Sequence, residues 1–265
     1  GPVKHSAIFD GEEYDAREAM GYAVADTFSK PEENKEFNGE ILPSEGAEIY
    51  LRHDLELSPV EAYIWKDVEG KKEKEFGKVV IYKHFADGEQ IVLKAGENLV
   101  VDFGQNCAGV PSFVFKAAEG TTLTCLPGEL LNDGNGARSR GMDGPEGSVH
   151  RENLRTPATA FLMKYTFGAG DKFVSYHPTR TFYGYRFAAI TADADVVIKS
   201  VSTIPVTSIA EGLEIGKIST GDESINKLIS NTYWGQLSNY LSVPTDCPQR
   251  NERLGWTGDT QIFCG

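Results

Sequence analysis

The chain has 265 residues, 26 of them Lys or Arg and 39 Asp or Glu, which gives a net charge of −13, and 40% of the residues are hydrophobic. This length allows one large domain or two ordinary ones with a real core. The acidic balance argues against nucleic acid as a partner, because binding a phosphate backbone requires a basic face. The same acidic balance favours a neutral substrate. No apolar run approaches the roughly 18 residues of a membrane helix, so we expect no membrane partner.

Residues 1–50 mix polar and apolar positions, and the pattern from Glu12 to Ala19 predicts a short helix. The first residues, GPVKHSA, lack the apolar core of a signal peptide. The sequence leaves periplasmic, secreted and cytoplasmic locations open.

From about residue 50 to residue 208, short runs rich in Val, Ile, Phe, Thr and Tyr alternate with turn signals such as ADGE, KAGE and GAGD. About ten such runs without helical periods between them predict an antiparallel β-sandwich or jelly roll. The predicted strands cover 49–58, 78–85, 89–95, 97–104, 112–117, 121–127, 160–167, 172–178, 185–192 and 196–208. Residues 132–148 include five glycines and few apolar residues, so we expect a long exposed loop there.

The four cysteines lie far apart and have no nearby histidine or metal-ligand spacing. This argues against structural zinc and predicts free, mostly buried thiols, with a Cys107–Cys125 disulfide as the alternative. The cysteines are Cys107, Cys125, Cys247 and Cys264.

A helical pattern begins near residue 213. Thr220 and Glu223 have the spacing of a capping box, and Pro244 should end the helix. The apolar face of such a helix must pack against other elements, so we expect further helices beside it. The apolar positions at helical spacing are Ile225, Leu228, Ile229, Thr232, Leu237 and Tyr240.

The loop after this helix, VPTDCPQRNERLGWTGD at 243–259, crowds acids and arginines beside a tryptophan. Ion pairs that hold a turn together, a carboxylate metal site, or a nucleophilic Cys247 with His177 as its base are possible interpretations. Glycosidase chemistry explains the mixture better. It uses one carboxylic acid to protonate the leaving oxygen and a second carboxylate to activate water or attack, while other acids and an arginine hold sugar hydroxyls.

The segment DCPQRNERLGWTGD closely resembles the signature of bacterial α-L-rhamnosidases, glycoside hydrolase family 78. The resemblance covers nearly the whole chain and implies β-sandwich domains followed by an (α/α)6 barrel, with inverting hydrolysis and no metal or other cofactor. It is also carried by GEEYDAR (11–17), VVDFGQNCAGVPSFVF (100–115), GELLNDGNG (128–136), FYGYRFAAI (182–190) and SNTYWGQLSNYLSVPTDCPQR (230–250).

Carried over residue by residue, the family's general acid falls on Glu252. Asp246 and Asp259 match its sugar-binding acids, and Arg250 and Trp256 match residues that line the rhamnose pocket. The family commonly has Asp before the acid, whereas this chain has Asn251, so one carboxylate that would repel the acid is missing.

The resemblance also implies a division of the chain. Residues 1–50 would be the end of an N-terminal β domain or a connecting segment, 51–210 a concanavalin-like sandwich, and 211–265 the first helix and catalytic loop of a truncated barrel. The general base would lie outside this chain, and the partners would be a rhamnose-containing carbohydrate or glycoside and the remaining C-terminal part of the same enzyme. A non-catalytic carbohydrate-binding or structural module, and an (α/α)6 glycosidase for another sugar, are the alternatives.

Overall fold

In the computed structural model the described residues are 1–19, 36, 38–44, 46–73, 75–86, 88–134, 143–152, 154, 161–214, 216–256, 258 and 260–261. Asp259 and Cys264, which carry two of the sequence predictions, lie outside them. No helix within these ranges is long and apolar enough to cross a membrane.

The described chain is mainly β, as predicted, with one α-helix. Its strands pair antiparallel except for one parallel pair, β2 with β11. In chain order the elements are β1 (Val3–Ala7), β2 (Gly11–Asp15), β3 (Tyr50–Leu51), β4 (Glu61–Glu69), β5 (Lys78–Phe85), β6 (Ile91–Leu93), β7 (Asn98–Ala117), β8 (Thr122–Gly128), β9 (Leu130–Leu131), β10 (Val149–His150), β11 (Leu162–Thr166), β12 (Val174–Tyr176), β13 (Tyr183–Ala192), β14 (Val196–Thr207), α1 (Glu223–Asn239), β15 (Tyr240–Leu241) and β16 (Val243–Pro244).

Twelve of the described strands join in one sheet, whose main order is β1-β2-β11-β8-β13-β7-β14-β3. The long strand β7 connects its parts. The first half of β7 pairs with β4 and β13, and the second half pairs with β12 and β14. A single strand therefore serves two groups of neighbours, which lets the sheet fold over on itself as a sandwich.

The core lies between the folded halves of the sheet. Phe115 on β7 meets Tyr165 on β11 edge-on at 4.9 Å, although these two strands are not hydrogen-bonded neighbours. Phe167 completes the contact at 4.7 Å from Phe115. All three side chains are almost fully buried, so ring packing across the two layers holds the sandwich closed.

The helix predicted from Glu12 to Ala19 is wrong. Residues Gly11–Asp15 form a strand, and only Ala16–Glu18 make a short 3-10 turn. The strand pairs in parallel with β11, and Tyr14 stacks on Tyr165 at 5.5 Å. These contacts with a distant segment outweigh the local helical pattern.

The strand pattern differs from the prediction in three further places. The strand Glu61–Glu69 was not predicted, and the runs at 97–104 and 112–117 are parts of one strand, β7. The run at 49–58 contains only the two-residue strand β3 followed by a 3-10 turn at His53–Leu55. A continuous strand through Gly104 and Gly109 carries two turn-like glycines, which made it look like two strands.

The predicted free thiols are confirmed for Cys107, Cys125 and Cys247, which are all buried and form no disulfide bond. Burial raises the pKa of the first two to about 12.

The expected exposed loop at 132–148 is in part buried, and its residues 135–142 lie outside the described ranges. Asn132 has its amide nitrogen 2.9 Å from the Ser148 hydroxyl and 3.0 Å from Asp143 Oδ1. This amide ties the two ends of the segment together.

Helix α1 is confirmed, but its cap and its cover differ from the prediction. The N-cap is Asp222, whose carboxylate accepts hydrogen bonds from the amides of Ser224 and Ile225. The helix ends at Asn239, five residues before Pro244. Of the apolar stripe, Leu237 is buried where α1 packs on β7 and β14, whereas Leu228 is 64% exposed.

Candidate active site

The charged loop begins immediately after α1 and is closed at its neck by backbone contacts. The short strands β15 and β16 pair across Ser242, which adopts a left-handed φ of 66°. Thr245 then forms a bridge with Gly255, and the Trp256 amide donates to the Pro244 carbonyl at 2.9 Å. Residues 245–256 therefore form a compact loop whose two ends meet, and we call this segment the site loop.

Three predicted site residues, Asp246, Arg250 and Glu252, meet inside the site loop together with Cys247. Asp246, Cys247 and Glu252 each place one oxygen or sulfur atom within 4.8 Å of the others. Arg250 Nη2 lies 2.7 Å from Glu252 Oε2. The carboxylates of Asp246 and Glu252 and the guanidinium of Arg250 thus form one partly buried charged group.

Arg250 is the cation of this group. Burial opposes its charge, but hydrogen bonds with Cys247 and Glu252 outweigh burial and raise the pKa of the guanidinium above its ordinary value. A permanently charged guanidinium beside Glu252 can orient that carboxylate and can also bind a ligand oxygen.

The interpretation of Cys247 as a nucleophile is wrong on two counts. Burial raises the pKa of the thiol, and the neighbouring Asp246 raises it further, so the reactive thiolate is disfavoured. His177, the proposed base, lies in a different groove with Tyr50 and Val206, and its Nδ1 is 3.0 Å from the Pro178 carbonyl.

A metal ion fits this group poorly. A cation between Asp246, Cys247 and Glu252 would compete with the Arg250 guanidinium, which already supplies the positive charge. It would also need the thiol to ionise against its raised pKa.

A cleft of about 420 Å³ opens between α1 and the neck of the site loop. Asp246 and Trp256 line it, whereas Arg250 and Glu252 do not. Trp256 is half exposed, so its ring offers an apolar face to a ligand. The structure thus brings four of the five predicted residues into one loop but divides them between the cleft and the charged group, and Asp259 is outside the described residues.

The residues that line this cleft include two that the sequence analysis did not select for the site, Asn239 and Tyr240. Asn239 Oδ1, Tyr240 Oη and Asp246 Oδ1 are all buried and have no hydrogen-bond partner among the described residues. Unpaired buried polar atoms are costly, and these three belong to residues that line one cleft. Asn239 and Tyr240 stand where α1 ends, and only that position in the fold marks them.

The sheet also contributes to the site. A second cleft of about 380 Å³ joins Asp246 and Trp234 to Gln105, Asn106 and Glu129. Asn106 donates to Glu129 at 2.8 Å. Gln105 and Asn106 belong to the GQN segment at the bend of β7, for which the sequence analysis assigned no role.

Several hydrogen bonds fix α1 to the sheet and so fix the cleft. The Ala108 amide on β7 donates to Ser238 Oγ at 3.1 Å. The buried Arg52 donates to Glu214 at 2.6 Å, and Tyr233 on α1 donates to the same carboxylate at 3.0 Å. The helix and the sheet are therefore joined by both backbone and charged contacts.

Sequence models of one protein family match this chain in two places. The sequence model of the bacterial α-L-rhamnosidase concanavalin-like domain matches residues 92–207, and that of the bacterial α-L-rhamnosidase six-hairpin glycosidase domain matches residues 213–265. The second match contains α1 and the whole site loop.

Individual relatives agree with the family match. An α-L-rhamnosidase of Formosa agariphila is 29% identical over 264 residues, which are 99% of this chain and 24% of the relative. One of Streptomyces avermitilis is 34% identical over 166 residues, 62% of this chain and 14% of the relative. The crystal structure of a Streptomyces avermitilis α-L-rhamnosidase complexed with L-rhamnose is similar with a TM-score of 0.67 at 26% identity, over 99% of this chain and 22% of that one.

The chain thus spans about a quarter of the length of the curated relatives that it matches from end to end. Both family matches and these relatives agree in name, and together they cover the sheet, α1 and the site loop. The chain belongs to the bacterial α-L-rhamnosidase family.

Proposed function

We propose that this chain is part of a glycoside hydrolase that releases terminal α-L-rhamnose from rhamnosides, polysaccharides or glycosides, with inversion at the anomeric carbon. The observation that carries the proposal is the grouping of Asp246, Arg250 and Glu252 in one loop, beside a cleft that Asp246 and Trp256 line. The choice of rhamnose as the sugar that is released rests on the relatives named α-L-rhamnosidases.

In this proposal Glu252 is the general acid that protonates the leaving oxygen. Arg250 orients its carboxylate at 2.7 Å. Asp246, which lines the cleft, accepts a hydrogen bond from a rhamnose hydroxyl, as Asp259 also would. Trp256 packs against the C–H face of the sugar ring.

The base needs a separate residue. Inverting enzymes hold their two carboxyl groups roughly 6.5–9.5 Å apart so that water fits between base and sugar. Asp246 and Glu252 approach within 4.8 Å, which is too close for that pair. This separation argues against Asp246 as the base, and we propose, as the family resemblance implies, that the general base lies outside this chain.

We also propose the division expected from the sequence, with a connecting or N-terminal β segment at 1–50, a concanavalin-like sandwich at 51–210 and a barrel segment at 211–265. The remaining C-terminal part of the same enzyme would then face the cleft beside α1.

Rhamnose release by the full-length protein tests this function. We expect hydrolysis of an aryl α-L-rhamnoside and not of the matching aryl α-L-fucoside or β-D-glucoside. Proton NMR of the first product should show β-L-rhamnose, the inverted anomer. Binding of rhamnose without hydrolysis would favour a carbohydrate-binding module, and release of another sugar would favour a different glycosidase. First formation of the α anomer would overturn inversion and give Asp246 the role of nucleophile.

A further inference from the structure

The residue after the proposed acid points away from the site and into the sheet. Arg253 is 9% exposed, and its guanidinium lies over the rings of Phe182 at 4.5 Å and Phe161 at 4.8 Å. Its Nη1 donates to the carbonyl of Ile8, in the turn between β1 and β2, and its Nη2 lies 3.5 Å from the Phe182 carbonyl. Arg253 thus connects the site loop to two separate parts of the sheet.

The environment of Arg253 is unusual for an arginine. Within the described part of the chain no carboxylate pairs with it, and its Nε has no hydrogen-bond partner. Burial lowers its pKa to about 10. Burying a cation is unfavourable without such a partner, so ring faces and carbonyls must hold it in place.

The backbone at Arg253 explains how neighbouring side chains serve different surfaces. Its φ is 46°, in the left-handed region that non-glycine residues rarely adopt. Across this turn Glu252 faces Arg250, whereas Arg253 faces the sheet. Such strain persists only where surrounding contacts impose it.

A second contact with the sheet stands at the other end of the loop. Gly184 on β13 lies against the backbone of Pro248 and Gln249. A β-carbon at position 184 would be 2.6 Å from the Gln249 amide nitrogen and 2.7 Å from the Pro248 carbonyl carbon. Only glycine lets the loop backbone approach the sheet this closely.

We propose that Arg253 and Gly184 are positioning residues through which the β-sheet domain sets the location of Glu252. Arg253 holds the segment directly after the acid, and Gly184 holds the segment before it. The sheet then acts as a template for the acid half of the active site, not only as an attached module. This inference rests on the proposed function, since it gives Glu252 the role of general acid.

A displaced acid has a signature that general destabilisation lacks. Leaving groups that need protonation depend on the acid, whereas nitrophenol departs with little help. A shift of about 1 Å in a catalytic group can cost roughly 100-fold in rate. Misplacement of Glu252 should therefore slow poor leaving groups far more than good ones, while partial unfolding slows both equally.

The experiment compares Arg253→Met, Arg253→Lys and wild type in the full-length enzyme. Methionine keeps the packing on the rings but removes the donors, whereas lysine keeps a charge and one donor. For Arg253→Met we expect kcat to fall about 100-fold on an alkyl rhamnoside and less than about 10-fold on nitrophenyl rhamnoside. Arg253→Lys should recover part of this loss. Arg52→Met, which removes another buried arginine, is the control and should show no dependence on the leaving group.

Gly184→Ala should give the same pattern, and Gly221→Ala is its control because a β-carbon there meets no atom within 4 Å. Hydrogen exchange of the backbone of residues 245–256 provides a readout that does not need activity. We expect faster exchange in Arg253→Met and Gly184→Ala than in the two controls.

Equal losses on both leaving groups, or unchanged exchange in the site loop, would overturn the positioning role while leaving the rhamnosidase function intact. A wild-type enzyme without rhamnosidase activity would instead overturn the proposed function, and with it this inference.

Discussion

Arg250 and Glu252 stand two positions apart in the site loop, and a 2.7 Å contact joins the guanidinium of one to the carboxylate of the other. The Glu252 amide also donates to the Arg250 carbonyl at 2.8 Å. A tight turn therefore brings the two side chains to the same side of the loop. This arrangement fixes the carboxylate from which the proposed chemistry starts.

Replacing that carboxylate tests the acid directly. In the full-length enzyme Glu252→Gln should lower kcat by roughly two to four orders of magnitude on poor leaving groups, because an amide cannot protonate the glycosidic oxygen. The loss should be smaller on nitrophenyl rhamnoside. Steady-state kinetics on the two substrates would contradict the acid role if the losses were equal.

Asp246→Asn should weaken rhamnose binding. The carboxylate of Asp246, a residue that lines the cleft, becomes a neutral amide, and a hydrogen bond to a charged group is worth about 1.5–3 kcal/mol. The inhibition constant of free rhamnose should therefore rise by about 10-fold or more. Asp195→Asn is the control, since its carboxylate is exposed and pairs with Lys94. An unchanged inhibition constant would remove Asp246 from the pocket.

Tyr240→Phe should also weaken the binding of rhamnose, by about 1 kcal/mol. The change removes only the hydroxyl that has no partner among the described residues. Because no existing hydrogen bond is lost, the melting temperature should stay the same or rise. Titration of rhamnose and thermal melting of the variant check the two halves, and tighter rhamnose binding would contradict the assignment.

The network around Arg52 should make stability depend on acid pH. The hydrogen bond from Arg52 lowers the pKa of Asp54 below 3.8. Burial opposes ionisation of Glu214, but hydrogen bonds from Arg52 and Tyr233 outweigh it and lower its pKa below 4.5. Lowered folded-state values mean stability that is present above these ordinary values and lost as pH falls through the lowered ones.

Melting temperatures of this chain measured from about pH 7 to about pH 3 should therefore fall at the acid end. Glu214→Gln should start lower and fall less steeply. Arg52→Met should destabilise the chain by about 2 kcal/mol at neutral pH, because it leaves two carboxylates without their cation. A parallel pH profile in Glu214→Gln would contradict this network.

Introducing a lysine should have different effects at the exposed and the buried positions of α1. Leu228 is 64% exposed and Leu237 is 2% exposed. In the 265-residue chain Leu228→Lys should improve solubility with little change in melting temperature. Leu237→Lys should unfold the helix from the sheet at a cost of several kcal/mol. Dye binding and thermal melting report both effects, and equal destabilisation by the two changes would contradict the packing of α1.

Local sequence was sufficient for many elements of this fold. Runs rich in Val, Ile, Phe, Thr and Tyr between turn signals identified β5, β8, β11 and β14 close to their observed bounds, because β-branched and aromatic residues favour strands. Helix α1 was equally clear from its stripe. The site loop could be found because acids, arginines and a tryptophan are adjacent in the chain.

Tertiary structure decided what local pattern could not. Gly11–Asp15 became a strand because β11, about 150 residues later, offers it a partner and a tyrosine to stack on. Asn239 and Tyr240 are candidates for the site only because the turn after α1 brings them to the cleft that Asp246 also lines. Contacts between residues far apart in the chain leave no periodic signal in either segment.

The two contacts between the site loop and the sheet show this limit most clearly. Arg253 reads in sequence as one more charge in a charged loop, and Gly184 as a glycine in a strand. Only the folded chain places Arg253 on the ring of Phe182 and Gly184 against the backbone of Gln249. The sequence by itself determined which residues we propose for the chemistry, since they lie together in the chain. The tertiary structure decided what holds them, because close packing joins surfaces that the chain connects only through the whole fold.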